Sequence, residues 1–271
     1  MEIITSRRNP LCIHMKRLSE SRSYRQEHGE FLCDGMKLLE EAVSSGAVVT
    51  AVLTTLPLPF ELNSQTTVYR VGRDLIESLS PLRSAQDTLF TCKIPPQQEL
   101  SDLSGTHILL DGMQDPGNVG AIIRTACAFG IQSVILTDGC ADPYNPKTLR
   151  ASMGAVFRQK LYFVSVPDFA AALEKANTVK DPGLSSSSEK DFRVIGAAPR
   201  GDSAEISVVS LTNCVIAIGN EGHGLSKQVL ALCDETVSIP IAPECQSLNA
   251  AVAAAIFIWE AARQAGTNTR I

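Results

Sequence analysis

Three short stretches of this 271-residue chain set polar side chains among glycines in a way that could do chemistry. The first is DPGNVGAIIRTACAFG, residues 115–130. Asn118 stands where a helix N-cap belongs, because Val119, Ile122, Ile123, Ala126 and Phe129 run on from it at helical spacing, with an exposed Arg124 between them. Gly117 and Gly120 flank the cap and permit close backbone approach by a ligand or another chain. The second stretch is IGNEGHGLS, 218–226, where glycines enclose Glu221 and Ser226 can cap the segment KQVLALC. A carboxylate in a tight glycine turn needs N–H donors or an arginine, and Arg124 is a candidate. The third, PIAPECQSLN at 240–249, opens a run from Ala250 to Trp259 that is apolar on every side and is expected to be buried all round. Ser247 can cap that helix, leaving Gln246 and Asn249 to face a pocket. Taken singly, each stretch also reads as an ordinary cap or turn. The second stretch matches neither GxxxxGK[ST] nor GxGxxG, so phosphate cradling is unsupported.

The elements that must position these residues follow a regular pattern. HILLDG (107–112), SVILTDG (133–139), KLYFVSV (160–166), RVIGAAP (193–199), CVIAIGN (214–220) and TVSIPI (236–241) are short, rich in Val and Ile, and each is followed by a turn or a segment of helical spacing. That alternation predicts a parallel sheet with helices on both faces. Ligands bind such sheets beyond the carboxyl ends of the strands, and the three stretches follow the first, fifth and sixth strands. Upstream, a helix at 35–45, strands at 48–54 and 67–71, and a helix at 73–80 form a small α/β unit. KIPPQQELSDLSG (93–105) is polar with a Pro-Pro pair and marks a linker, with the domain boundary between 95 and 104. TVKDPGLSSSSEKDF (178–192) reads as a Ser-rich loop.

Bulk properties narrow the choice. With 44% hydrophobic and 20% charged residues, the chain has the composition of a soluble globular protein. No apolar run is long enough to span a bilayer, and MEIITSRRNPLC lacks the apolar block of a secretory signal, which points to the cytoplasm. Eight cysteines occur without a CxxC pair, several inside apolar runs, and read as reduced core thiols. Four histidines, none at i, i+4 spacing, give a metal site little to be built from, so no metal is expected. The net charge of −5 argues against non-specific coating of nucleic acid. Residues 1–25 nevertheless carry Arg7, Arg8, Lys16, Arg17, Arg22 and Arg25 against Glu2 and Glu20, which fits either a polyanion held at one face or a solvated helix surface.

Together the three stretches resemble the SpoU (TrmH-like) family of RNA ribose 2′-O-methyltransferases, in the SPOUT superfamily. The family's Asn…Gly…Arg motif appears as Asn118, Gly120 and Arg124, its Gly-Asn-Glu-Gly turn as Gly219 to Gly222, and its Ser-Leu-Asn helix start as Ser247 to Asn249. LRASMGAVFR (149–158) looks like the Arg-x-Ser-x-Gly-Ala segment that lies between them. Residues 1–95 look like the small RNA-binding domain, related to a ribosomal-protein fold, that precedes the methyltransferase domain in many members, on the cues SRRNP (6–10) and EFLCDGMKLLEEA (30–42).

The resemblance implies an α/β fold with a small RNA-binding domain at 1–95, a linker at about 96–104, and a trefoil-knotted parallel-sheet methyltransferase domain at 105–271. It implies S-adenosyl-L-methionine as cofactor, held by Gly219, Asn220, Ile239, Leu248 and Asn249. Arg124, Asn118, Glu221, Ser247 and Asn249 would be catalytic. Arg124 would contact the target nucleotide and, because a guanidinium hardly deprotonates, stabilise the emerging alkoxide rather than act as base. Glu221 would hold the arginine or its loop. The implied partners are RNA, ribosomal rather than transfer, and a second copy in a homodimer that buries the last helix; no membrane is implied. A non-catalytic RNA-binding protein on this fold would be marked by loss of Asn118, Arg124, Glu221 or Asn249, and all four are present. A nucleotide-dependent enzyme on a doubly wound sheet would need a glycine-rich phosphate loop after the first strand, where there is none.

Overall fold

The computed structural model describes residues 2–82, 84–101, 103–178, 192–198 and 203–266. They divide into two compact units, Met1–Pro96 with Asp142–Arg158, and Gln97–Ala141 with Gln159–Ile271.

In the first unit β1 (Glu2–Ile4), β2 (Glu30–Asp34), β3 (Val49–Thr54), β4 (Thr67–Val71) and β5 (Thr88–Lys93) form a sheet of order β1-β4-β3-β5-β2. β1, β4 and β3 are parallel, and β5 runs antiparallel to β3 and β2. Helix α1 (Pro10–Glu20) starts on Asn9, whose side chain accepts from Leu11 N, with Pro10 in the first turn where its missing N–H costs nothing. Ser21 ends α1 and caps α2 (Arg22–His28), and Gly29 ends α2 in the left-handed conformation. α3 (Met36–Ser44) and α4 (Arg73–Leu79) complete the unit, and Cys12, Met15, Leu18, Leu32, Leu53, Ile76 and Leu89 share one core cluster. The helix at 35–45, the strand at 48–54 and the helix at 73–80 are found within a residue, and the strand at 67–71 is found at those bounds. The sequence reading lacks β1, α1, α2, β2 and β5. β5 is buried on both faces from Thr88 to Cys92, so it shows no alternation to detect.

The segment Asp142–Arg158, read from sequence as part of the second domain, packs with the first unit. It contains α6 (Pro146–Ser152) and a 3-10 turn, Ala155–Phe157. Arg25 fixes it: Nε and Nη2 donate to Asp142 Oδ2 at 2.8 and 2.6 Å, and Nη1 donates to Leu18 O at 2.6 Å. Tyr144 and Phe157 place their rings 4.8 and 6.1 Å from that of Phe31.

The second unit is built on seven strands, β6 (His107–Leu110), β7 (Ser133–Leu136), β8 (Leu161–Phe163), β9 (Arg193–Ala197), β10 (Ala204–Glu205), β11 (Cys214–Ile218) and β12 (Glu235–Ser238). Their order is β10-β12-β9-β11-β6-β7-β8, and every pairing is parallel. The six predicted strands are present; β10, two residues long, is an addition too short to show a period. The chain adds β7 and β8 on one side of β6 and then crosses to the other, so the order reverses between β6 and β11. Helices α5 (Pro116–Ala128), α7 (Val166–Thr178), α8 (Lys227–Leu230) and α9 (Ala250–Gln264) complete the unit, and α5 packs on α9. α9 departs from the expectation of burial all round: Ala254, Phe257, Ile258 and Ala261 are buried, whereas Val252 and Trp259 are 49% and 50% exposed. Apart from its two ends the Ser-rich stretch 178–192 lies outside the described residues, as does Pro199 of the fourth predicted strand. Among the described residues no helix is long and apolar enough to cross a membrane.

Candidate functional site

β6 and β11 are neighbours at the point where the strand order reverses, the place where an open parallel sheet leaves a crevice at its carboxyl edge. The loop after β6 is tied there: Asp111 N donates to Ile218 O at 2.9 Å, and the buried Asp111 carboxylate accepts from Ser226 N at 2.6 Å and from the Thr137 hydroxyl.

Asp115, not Asn118, caps α5. Pro116 favours extended backbone at Asp115 and fixes the first helical φ, so the helix begins at 116 and Asp115 Oδ1 accepts from Asn118 N at 2.7 Å. Asn118 thereby falls in the first turn with its side chain unspent. Its Nδ2 donates to Glu221 Oε1 at 2.6 Å, and its Oδ1 accepts from Asn249 Nδ2 at 3.1 Å. Asn249, not Ser247, caps α9, its Oδ1 accepting from Ala251 N and Val252 N at 2.9 and 3.3 Å. One chain of amide and carboxylate bonds thus joins the three stretches singled out by composition.

The turn after β11 is held from within. Asn220 and Gly224 exchange backbone hydrogen bonds at 3.0 and 2.9 Å, Asn220 Oδ1 accepts from Gly222 N, and Asn220 Nδ2 donates to Gly112 O at 2.9 Å. Gly219 is required by crowding: a Cβ there would lie 2.2 Å from Gly224 C and 2.3 Å from Leu225 N. Ser226 caps α8, as its sequence position suggests.

Beside this turn lies a cavity of about 650 Å3, within the ordinary size of a small-molecule site. Gly219, Asn220, Glu221, Ile239, Gln246, Ser247 and Leu248 line it, together with Ala198, Ile218 and His223. Asn118, Arg124 and Asn249 are not in its wall. Arg124 is exposed and, among the described residues, forms no ion pair, so the expected partnership with Glu221 is replaced by the bond from Asn118. The wall contains no Lys or Arg, which a phosphorylated nucleotide would need; it offers apolar side chains, glycine backbone, the polar side chains of Asn220, His223, Gln246 and Ser247, and one carboxylate. That set fits a nucleoside bearing a cationic centre.

Other chemistry is weakly supported. All eight cysteines are free. Burial pushes the thiols of Cys12, Cys33 and Cys140 up, that of Cys233 to about 11 and that of Cys214 to about 12, so these are packing groups rather than nucleophiles. Among the described residues no His, Cys, Asp and Glu cluster could hold a metal ion. Sequence reasoning missed Asp111 and Asp115; an aspartate directly before proline, and another directly after a strand, are the signals that could have found them.

Residues 105–259 match the SpoU rRNA methylase family, and residues 9–89 match the MRM3-like substrate binding domain. A 23S rRNA (guanosine(2553)-2′-O)-methyltransferase, RlmP, of Bacillus subtilis is 30% identical over 96% of this chain and 98% of its own length. A 23S rRNA (uridine(2479)-2′-O)-methyltransferase of Streptomyces viridochromogenes is 31% identical over 96% of this chain and 92% of its own. The crystal structure of the SpoU methyltransferase AviRb from the same organism, in complex with the cofactor AdoMet, superposes with a TM-score of 0.81 at 28% identity, covering 97% of this chain and all of that one.

Proposed function

The chain belongs to the SpoU rRNA methylase family, and from that premise we propose that it transfers a methyl group from S-adenosylmethionine to a ribose 2′-hydroxyl of ribosomal RNA. The observation that carries the reading is the hydrogen-bonded chain Asn249–Asn118–Glu221 beside the cavity, which gathers all three family motifs at one sheet edge.

Gly219, Asn220, Ile239 and Leu248 would hold the cofactor in that cavity, with Glu221 supplying negative charge near its cationic sulfur. When bound, S-adenosylmethionine supplies a methyl group already activated by the sulfonium. What remains for the protein is alignment and charge. Arg124, exposed and without an ion-pair partner among the described residues, would meet RNA phosphate and stabilise negative charge as the 2′-hydroxyl loses its proton. A guanidinium is a poor base, so the proton leaves to solvent water. Asn118 keeps Glu221 oriented, Asn249 keeps Asn118 oriented, and Ser247 offers a hydroxyl on the cavity wall.

The finer parts of the reading have their own supports. Val252 and Trp259, seven residues apart on one face of α9, form the surface through which two copies pair; their half exposure supports this. A trefoil knot in residues 105–271 accords with a late strand, β11, lying between β9 and β6. Residues 1–95 serve as the RNA-binding domain, supported by the substrate-binding match at 9–89. The cytoplasm is the compartment in which ribosomal RNA of a bacterium is modified, and a bacterial relative is named for 23S rRNA.

The decisive experiment incubates the purified chain with methyl-labelled S-adenosylmethionine and either ribosomal or transfer RNA, then maps 2′-O-methyl nucleotides by mass spectrometry. A single modified ribose in ribosomal RNA is expected. Label confined to transfer RNA would overturn the substrate, and RNA binding with no label in either would overturn the reaction.

A further inference from the structure

The first unit holds a second cavity, of about 630 Å3, that the reaction above does not use. Its wall comes from the end of β2, the start of α3, residues 81, 82 and 84–86, and α6 with Met153 at its end, all within that unit. Asp34 stands in this wall. Burial pushes its carboxyl up, while the Ser80 hydroxyl, which donates to Oδ2, and Gln86 N, which donates to Oδ1 at 3.3 Å, act the other way together with the charges of Arg73 and Arg150. Those two bonds use one lone pair on each oxygen, and each oxygen retains a second. A donor edge with two parallel N–H groups can therefore still be received.

Two cations share the wall. Lys37 and Arg150 are exposed, and among the described residues neither forms an ion pair or a side-chain hydrogen bond. Helix α3 starts on Gly35 with no side-chain cap, so the backbone N–H groups of its first turn add to the donors beside Lys37. Leu38, Leu82 and Met153 give the wall its apolar surface, and its second carboxylate, Glu41, is already paired with Arg158. Met153 ends α6 in the left-handed conformation, φ 49°, a position that favours glycine or asparagine, and is 57% exposed there. A strained, exposed thioether does little for a core and suits a contact surface.

We propose that this cavity receives one unpaired guanine nucleotide of the RNA on which the chain acts, its base against Leu38, Leu82 and Met153, its imino and amino N–H groups donating to Asp34, and its flanking phosphates meeting Lys37 and Arg150. The proposal rests on the RNA reading above and adds a base-reading site to it. The wall selects this ligand by exclusion. A carboxylate repels phosphate from the cavity floor and offers nothing to the acceptor O4 and O2 of uracil, whereas guanine alone among the bases presents adjacent imino and amino donors. Two separate cations at the rim match the successive phosphates of a strand.

The test uses the full chain and fluorescence anisotropy with two short uridine-rich single strands, one with a central guanosine and one with inosine, which lacks the amino group. The wild-type chain is expected to prefer guanosine by about tenfold. Asp34→Asn keeps the shape but replaces one acceptor by a donor and should bring the ratio to about one. Lys37→Ala and Arg150→Ala should weaken both strands alike and lower the salt dependence, leaving the ratio intact. No guanosine preference in the wild type, or a preference that survives Asp34→Asn, overturns the site. Guanosine 5′-monophosphate that binds where neither strand competes would put a free nucleotide there and overturn the RNA assignment. A circular-dichroism spectrum and urea transition equal to wild type show that Asp34→Asn is folded, and S-adenosylmethionine titrations separate the two readings: a wild-type chain without affinity for it would strike the proposed reaction rather than this cavity.

Discussion

The two units handle polar side chains differently. In the first, charge is taken inside: Arg25, 2% exposed, is paired with Asp142, and Glu30 accepts from Lys93 at 2.7 Å and His14 at 2.8 Å. In the second, one buried carboxylate, Asp111, takes backbone and hydroxyl donors rather than a cation, and the residues that join the three motif loops are neutral amides, Asn118, Asn220 and Asn249, bonded to one another, to backbone and to Glu221. Buried charge fixes a segment strongly but fails badly when one partner is lost, because the survivor stays desolvated. Amide chains are weaker singly and less sensitive to pH, and they leave the cavity wall to backbone and apolar groups. The first arrangement secures a distant chain segment; the second presents a site.

Substitutions can break that contrast. Arg25→Ala should have the largest effect, leaving Asp142 without its partner at a cost of about 3–5 kcal/mol in the first unit. The single tryptophan, Trp259, lies in the second unit, so urea denaturation followed by circular dichroism should shift while the fluorescence transition moves little. Equal shifts in both signals would defeat the contrast. Arg124→Ala should lower methyl transfer about 10²–10³-fold with cofactor affinity nearly unchanged, since a charge aimed at the developing anion acts in the transition state. Full turnover in that variant would remove Arg124 from the reaction. Gly219→Ala must move the turn after β11 by something on the order of 1 Å, which should weaken S-adenosylmethionine binding roughly 10²-fold in a calorimetric titration. Wild-type affinity would show that the turn is not part of the cofactor site.

Smaller effects sharpen the contrast. Trp259→Glu should raise the dimer dissociation constant by about 30-fold or more, read by analytical ultracentrifugation, if the exposed face of α9 is the pairing surface. Glu30→Gln should cost only about 1 kcal/mol at neutral pH. Burial would push the Glu30 carboxyl up, but the hydrogen bonds and charges of Lys93 and His14 outweigh it and hold the group below its ordinary 4.5. A carboxyl lowered on folding adds stability above its unfolded pKa and loses it as pH falls through the folded one. The wild-type chain should therefore lose stability on acidification below about pH 4.5, and Glu30→Gln should flatten that part of the curve; an unchanged slope would mean the pair does not matter to acid stability.

Much of the site was legible because its signals are local. Gly219, Glu221 and Ser226 follow a strand, and their turn and cap chemistry is set within a few residues. The two misplaced caps were near misses of the same kind: Asp115 and Asn249 take the work assigned to Asn118 and Ser247, within three residues of them. The elements overlooked in the first unit are short or flat in pattern, with β1 spanning Glu2–Ile4 and β5 buried on both faces.

The sequence by itself determined the alternation of strands and helices, the parallel sheet, and the three loops at its carboxyl edge, because periodicity and capping depend on neighbours a few positions away. Tertiary structure decided which polar atoms meet. Asn118 finds Glu221 103 residues on, Asn249 reaches Asn118 across 131, and Arg25 holds Asp142 across 117. No local rule fixes partners at such separations; burial does, since a polar group withdrawn from water must bond to whatever the fold has brought beside it.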